Sequence, residues 1–239
     1  MAQPVVKIKG PPARFAPVIA VDGPSGVGKG MVTRWLAQRT GWHRLDSGAL
    51  YRILALAAIH ARIPLDQSDR VAALAADLEI RFVGETEADE AILVDGADWT
   101  NEVRAETSGG LASQIATSPL VRAALLQRQR DFRAIPGLIA DGRDMGTVVF
   151  PDAALKIFLD ASPEARSVRR HRQLSDQGAS VKLADLFAEV RTRDERDRKR
   201  ATAPLAQAFD AVVLDTTQME PAEVLAEIEC LLRNRSLIR

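Results

Sequence analysis

Eight consecutive residues, Gly23-Pro-Ser-Gly-Val-Gly-Lys-Gly30, have the composition of a loop that closes around an anion. Glycines allow the dihedrals that turn main-chain N–H groups inward, and they let a phosphate approach the backbone. Gly23, Pro24, Ser25, Gly26, Val27 and Gly28 form the loop, and Lys29 adds a mobile charge suited to β- and γ-phosphates. The next residue is Gly30, so the hydroxyl that ligates magnesium in many P-loop GTPases and ATPases is missing there. Nucleotide switches are disfavoured. Small-molecule kinases are favoured.

Arginine is the other chemistry-bearing residue. Its planar fork pairs bidentately with phosphate and keeps its charge. The stretch Arg191-Thr-Arg-Asp-Glu-Arg-Asp-Arg-Lys-Arg200 is dense in it. On a helix Arg193, Asp197 and Arg200 share one face, where the aspartate can hold the forks at a fixed angle. A solvated, salt-bridged helix would show the same alternation of charge. Asp141 ends a strand-like run and suits either a magnesium-bound water or a turn cap. Tyr51 is the single tyrosine, and its hydroxyl calls for a partner that a phosphate would supply. His43, His60 and His171 have no metal-ligand spacing.

The loop works only between a strand and a helix. Val18 to Asp22 is a β-branched run of the buried-strand kind, and Gly28 to Thr40 is helix-spaced and stopped by Gly41. Further strands are expected at Leu138 to Ala140, Leu155 to Leu159 and Ala211 to Leu214. Helices are expected at Leu120 to Arg133, Pro163 to Gln177 and Pro221 to Arg233. That alternation predicts an α/β fold, a parallel sheet with helices on both faces. Leu78 to Val83 alternates with period two, and Ala91 to Val94 precedes the turn pair Asp95-Gly96. An antiparallel meander inserted over roughly Leu78 to Val103 is expected, as a substrate-gripping piece or as surface padding.

The 239 residues fit one globular unit with an appended subdomain, or two small domains. Lys plus Arg and Asp plus Glu both total 32, which argues against a general nucleic-acid binder. Cys230 is alone, so no intrachain disulfide forms. No signal peptide or membrane span is read, and a cytoplasmic monomer with a flexible tail over residues 1–17 is expected.

Three further blocks extend the pattern: Leu45-Asp-Ser-Gly-Ala-Leu-Tyr-Arg52, Gly142-Arg-Asp-Met-Gly-Thr147 and the arginine-rich stretch. With the loop, and in this order, they resemble the bacterial cytidylate kinases, nucleoside monophosphate kinases of the P-loop class. The resemblance implies a P-loop core at 18–46, 119–170 and 201–239, a CMP-binding subdomain at 47–118 and a short helical lid at 171–200. It implies ATP as donor, magnesium as metal, and CMP, with dCMP, as acceptor. It places Ser47, Tyr51, Arg52, Arg122, Arg143, Asp144, Arg193, Asp197 and Arg200 at substrate. Lys29, Arg143, Arg193 and Arg200 become the catalytic cations. Met31 stands where such kinases often carry threonine, leaving only its N–H for a phosphate. The rival readings are a kinase for UMP or another small acceptor, and a P-loop NTPase switch.

Overall fold

The computed structural model describes residues 16–84, 91–176, 178 and 181–238. The tail expected over 1–17 lies outside the described residues up to position 15, as do residues 85–90 of the insert and 177, 179 and 180 of the lid. Ala16 and Pro17 are tied down: the Ala16 carbonyl accepts from Arg133 Nε (2.6 Å) and the Pro17 carbonyl from the Leu138 N–H (2.9 Å).

In chain order the elements begin with β1 (Val18–Asp22), α1 (Lys29–Thr40), β2 (His43–Asp46), α2 (Ser47–His60) and α3 (Ser68–Asp77). Next come β3 (Ile80–Val83), β4 (Ala91–Val94), β5 (Ala97–Asp98), α4 (Thr100–Arg104), α5 (Glu106–Ile115) and α6 (Pro119–Asp131). β6 (Leu138–Gly142), β7 (Leu155–Asp160), α7 (Pro163–Asp176), α8 (Leu183–Arg198), β8 (Val212–Asp215) and α9 (Pro221–Asn234) complete the chain. A short π-type turn, Met145–Val149, follows β6.

The chain folds as two compact units, one of them Ser47–Phe132, the other built from the segments before Ser47 and after Phe132. The second unit holds a five-stranded sheet in the order β2-β6-β1-β7-β8, every pairing parallel. β1 is buried along its whole length, which explains its run of Val, Ile and Ala. Val32 and Leu36 of α1 and Ile228 and Leu232 of α9 pack in one apolar cluster with Ile19 and Val21 of β1. Proline opens α7 and α9 at a position whose N–H would be unpaired in any helix. Gly41 ends α1 in a left-handed conformation (φ 71°), its N–H bonded to the Ala37 carbonyl.

The other unit carries the antiparallel sheet β3-β4-β5, with Arg81 opposite Leu93 and Phe82 opposite Ile92. The meander expected near Leu78 to Val103 is therefore present, though its last residues form α4 rather than strand. α6 was expected in the core segment beginning at 119. It belongs instead with this unit, where it packs against α3, and Arg128 donates to the Leu78 carbonyl.

Candidate active site

The register of the parallel sheet sets the carboxyl ends of β1, β2 and β6 level with one another. Asp22 pairs with Gly142, and Asp141 faces both Val21 and Asp46. Ligands of open parallel sheets bind at such strand ends, where the direction of winding reverses. Here β1 leads into the glycine loop and β6 into Arg143 and Asp144.

Glycine is required along the loop for identifiable reasons. A Cβ on Gly23 would lie 2.1 Å from the Leu159 carbonyl oxygen, an impossible approach, and Gly26 and Gly28 have φ of 74° and 99°. Gly28 is the N-cap of α1 and gives no side-chain cap, and the first turn has no acidic residue. The leading N–H groups are thus left to an anion, with the helix dipole behind them.

Lys29 is buried and folds back on its own loop, with Nζ 2.9 Å from the Gly23 oxygen and 2.8 Å from the Pro24 oxygen. Burial pushes its proton off well below the ordinary lysine range, Arg143 and Arg193 push the same way, and Asp141 and Asp22 resist. Cations therefore gather around an amine already short of counter-charge. Burial conversely raises Asp141, which Lys29 draws back down and Asp46 raises further. A polyphosphate would supply the missing negative charge.

Asp22, buried at the end of β1, bonds both main-chain N–H groups of the segment after Asp144. Its Oδ1 accepts from Met145 and its Oδ2 from Gly146, both at 2.8 Å. Burial pushes its carboxyl up to about 7 against these two bonds, with Asp144 raising it and Lys29 lowering it. The turn that follows reaches back five residues: the Val149 and Phe150 N–H groups bond the Asp144 and Met145 carbonyls at 3.2 and 2.7 Å. Such wide turns often occur at functional sites.

The arginine-rich stretch is only partly the single helical face expected. α8 ends at Arg198, and Arg200 lies beyond it because the chain turns after the Lys199 cap, whose N–H bonds the Glu195 carbonyl. Arg200 joins the group by another route, an ion pair from Nη2 to Asp197. Arg143 Nε bonds the same carboxylate at 3.1 Å. Asp194 and Asp197 are buried, so this side of α8 is no solvated surface. Arg143, Arg200 and Asp197 are therefore brought together, with Asp144 beside them in sequence and also buried.

In the unit Ser47–Phe132, Ser47 opens α2 and is buried, as is Tyr51 one turn on. The Arg122 guanidinium stacks over the Tyr51 ring, 5.7 Å from its centroid, and Nη1 reaches the Ala116 carbonyl at 3.4 Å. Arg52 Nη1 bonds the Val103 carbonyl at 3.1 Å. Three of the expected substrate residues, Ser47, Tyr51 and Arg52, thus lie within the first two turns of α2. Arg122 comes to Tyr51 from α6.

Met31 packs against the apolar cluster of the sheet. Sequence reasoning missed Asp22, Arg166 and Asp194. Asp22 carries a legible signal, an acid ending a wholly apolar strand immediately before the loop. Arg166 and Asp194, 28 positions apart, carry none.

An anion cradle at the switch point of a parallel sheet, closed on a buried lysine, defines a P-loop kinase by class. The family model described as cytidylate kinase matches residues 19–234. The cytidylate kinase of Aeromonas salmonicida (strain A449) is 54% identical over 90% of this chain and 93% of its own. That of Sodalis glossinidius (strain morsitans) is 54% identical over 89% and 93%, and that of Photorhabdus laumondii is 55% identical over 88% and 92%. The chain belongs to the cytidylate kinase family.

Proposed function

We propose that the protein transfers the γ-phosphoryl group of ATP to CMP, giving ADP and CDP, with the loop from Gly23 to Met31 as the ATP cradle. The observation that carries the reading is a glycine loop whose N–H groups at the start of α1 take no side-chain cap, closed on the buried Lys29, together with Arg143 and Arg200 gathered on Asp197. Such a cluster favours a ligand with several negative charges. Phosphoryl transfer asks a protein for position and positive charge, and little else.

In this reading the loop N–H groups and Lys29 hold the β- and γ-phosphates. Arg143, Arg193 and Arg200 offset the charge that accumulates between donor and acceptor. Asp197 orients the Arg143 and Arg200 forks, and Asp144 reads the acceptor nucleoside. Ser47, Tyr51, Arg52 and Arg122 act as further CMP contacts. The acceptor phosphate oxygen is already a nucleophile, so no general base is required.

Magnesium is the expected companion of the polyphosphate, offsetting its charge. The donor set fits an ion held chiefly by phosphate oxygens: Gly30 offers no hydroxyl, and among the described residues no three acidic, His or Cys side chains form a metal cluster. Asp141, level with Asp46 and drawn down by the charge of Lys29, would hold a water bound to such an ion. Among the described residues no helix is long and apolar enough to cross a membrane. A monomeric state and residence in the cytoplasm complete the proposal.

An ADP-release assay with magnesium-ATP over a panel of CMP, dCMP, UMP and small alcohols tests it. CMP and dCMP are expected to give kcat/KM at least about tenfold above UMP, a gap of one or two discriminating contacts. Release of ADP without any acceptor, at the rate seen with CMP, would favour the NTPase switch.

A further inference from the structure

Three successive loop carbonyls, those of Gly23, Pro24 and Ser25, are each taken by a buried cation. Lys29 holds the first two. Arg166, in the first turn of α7, holds the third, with Nη1 2.9 Å from the Ser25 oxygen. Arg166 is fully buried, and its Cβ would stand 3.5 Å from a Cβ placed on Gly26. The loop main chain therefore lies directly against α7.

The rest of the fork is equally engaged. Nε bonds the Ala161 carbonyl at 2.9 Å, Nη1 bonds Asp194 Oδ1 at 3.0 Å, and Nη2 bonds Asp194 Oδ2. Asp194 is on α8, one turn before Asp197, which receives Arg143 and Arg200. Two sets of charge-assisted contacts thus meet on α8: one runs from the Ser25 carbonyl through Arg166 to Asp194, and the other, one helical turn on, joins Asp197 to Arg143 and Arg200.

We infer that Arg166 and Asp194 are positioning residues of the kinase reaction, a buried strut that sets the loop and α8 against each other. The inference rests on the reading of α8 as the helix whose Arg193 and Asp197 serve the substrates. The carbonyl and N–H of one trans peptide point opposite ways. By holding the Ser25 oxygen, Arg166 therefore turns the Gly26 N–H away from α7, into the orientation an anion cradle needs. Lys29 is free to exchange its two carbonyls for phosphate oxygens when ATP arrives. Arg166 is buried and saturated and stays in place. Its second hand fixes how far along the loop α8 presents its charges. Stability alone does not require this pair, since a buried ion pair replaced by apolar residues of similar volume is often as stable or more so.

That difference provides the experiment. The double variant Arg166→Met/Asp194→Leu also strips the Ser25 and Ala161 carbonyls of their donor, so it is expected to melt modestly below the parent but to remain folded at the assay temperature, and to show kcat reduced at least tenfold and KM for ATP raised at least fivefold. Asp194→Asn keeps the Arg166 contact with Ser25 and is expected to lower kcat several-fold with KM for ATP within twofold. Arg166→Lys cannot reach both partners and should recover only part of one parameter. All rates are taken below the melting transition of each variant. If the double variant fails to fold, the Asp194→Asn split decides alone. Kinetic constants within twofold of the parent in folded variants, or losses that only track the unfolded fraction, overturn the strut. Arg193→Ala and Asp197→Ala are measured alongside. Near-parental rates there would remove the reading of α8 and the strut's purpose with it, whereas loss there with silent Arg166 and Asp194 variants would remove the strut alone.

Discussion

The glycine loop and helix α8 bind charge by opposite means. The loop offers main-chain N–H groups, so its requirement is conformational: Gly23, Gly26 and Gly28 sit where a side chain would clash or where φ is positive. α8 offers side chains, and its requirement is for partners: Asp194 and Asp197 are buried only because Arg166, Arg143 and Arg200 meet them. A main-chain site tolerates changes of side chain that leave the backbone alone. A side-chain site fails when one partner goes. In the proposed reading, Lys29 is the one side chain the loop depends on.

The largest expected effect breaks the loop at that residue. Lys29→Ala should reduce kcat by about 10³-fold, the upper end for losing one preorganised donor. The variant also loses the ammonium proposed to hold the β- and γ-phosphates, so KM for ATP should rise. Turnover of the purified variant with magnesium-ATP and CMP measures both. Near-normal activity would show that the N–H groups alone suffice and would end the role given to the ammonium.

Next comes α8. Asp197→Ala leaves Arg143 and Arg200 facing each other without their shared carboxylate. Breaking a buried pair by removing one partner costs about 3 kcal/mol or more. A urea melt should show a loss of that order, and kcat measured well below the transition should fall about a hundredfold. If stability falls while kcat holds, Asp197 only supports the fold and the side-chain half of the comparison is wrong.

How much of this was legible in the sequence follows the same division. The loop, β1 and α1 were readable because glycine, β-branched and helix-spaced residues report local conformation directly. The helices opened by Pro119, Pro163 and Pro221 were readable for the same reason. β2 was not expected as a strand: His43 to Asp46 is half-exposed in pattern, and only pairing to β6 makes it one. The assignment of α6 was missed because its membership depends on what it packs against, α3, and helical periodicity does not name the neighbour. The site divides similarly. Lys29 belongs to a contiguous motif, but Arg166 is one arginine in a run with Arg169, Arg170 and Arg172. Nothing local distinguishes the fully buried one. Its partner lies on another helix, and long-range pairs leave no trace in one sequence.

Proton uptake offers a smaller, sharper test of the loop's electrostatics. In the ligand-free protein Lys29 loses its proton below the ordinary lysine range, because it is buried and faces Arg143 and Arg193. Polyphosphate should restore the proton, so ATP binding takes up protons and weakens as pH rises through that lowered value. The sign for folding is fixed by the same shift. The folded chain holds this proton less tightly than the unfolded chain, so Lys29 destabilises the fold at low pH and its penalty fades as pH rises through the window. Arg143→Met removes one repelling charge and should move the weakening of ATP binding to higher pH. Calorimetry at pH 8 in two buffers of different ionisation enthalpy reads the uptake. No uptake in the parent would mean that Lys29 is already fully charged and that the cations do not act on one another.

The smallest effect is expected at Met31, and it tests whether the loop is truly a main-chain site. The Met31 side chain packs on the apolar cluster with Val32 and Leu36 nearby in α1, so its contribution to an anion is its N–H. Met31→Thr keeps that N–H and adds a hydroxyl. A hydrogen bond to a charged acceptor contributes about 1.5 kcal/mol at the low end, and the methionine packing given up offsets part of it, so the net gain in ATP affinity should stay below about tenfold. The lost packing of a half-buried methionine should lower the melting temperature slightly, since truncating apolar contacts forfeits their burial. The expected outcome is a KM for ATP lowered by a few-fold, kcat within twofold and a small drop in thermal stability. A gain well beyond tenfold would mean that side-chain hydroxyls do much of the binding in this loop. The contrast with α8 would then be one of degree, and the parent loop would be working with a missing contact.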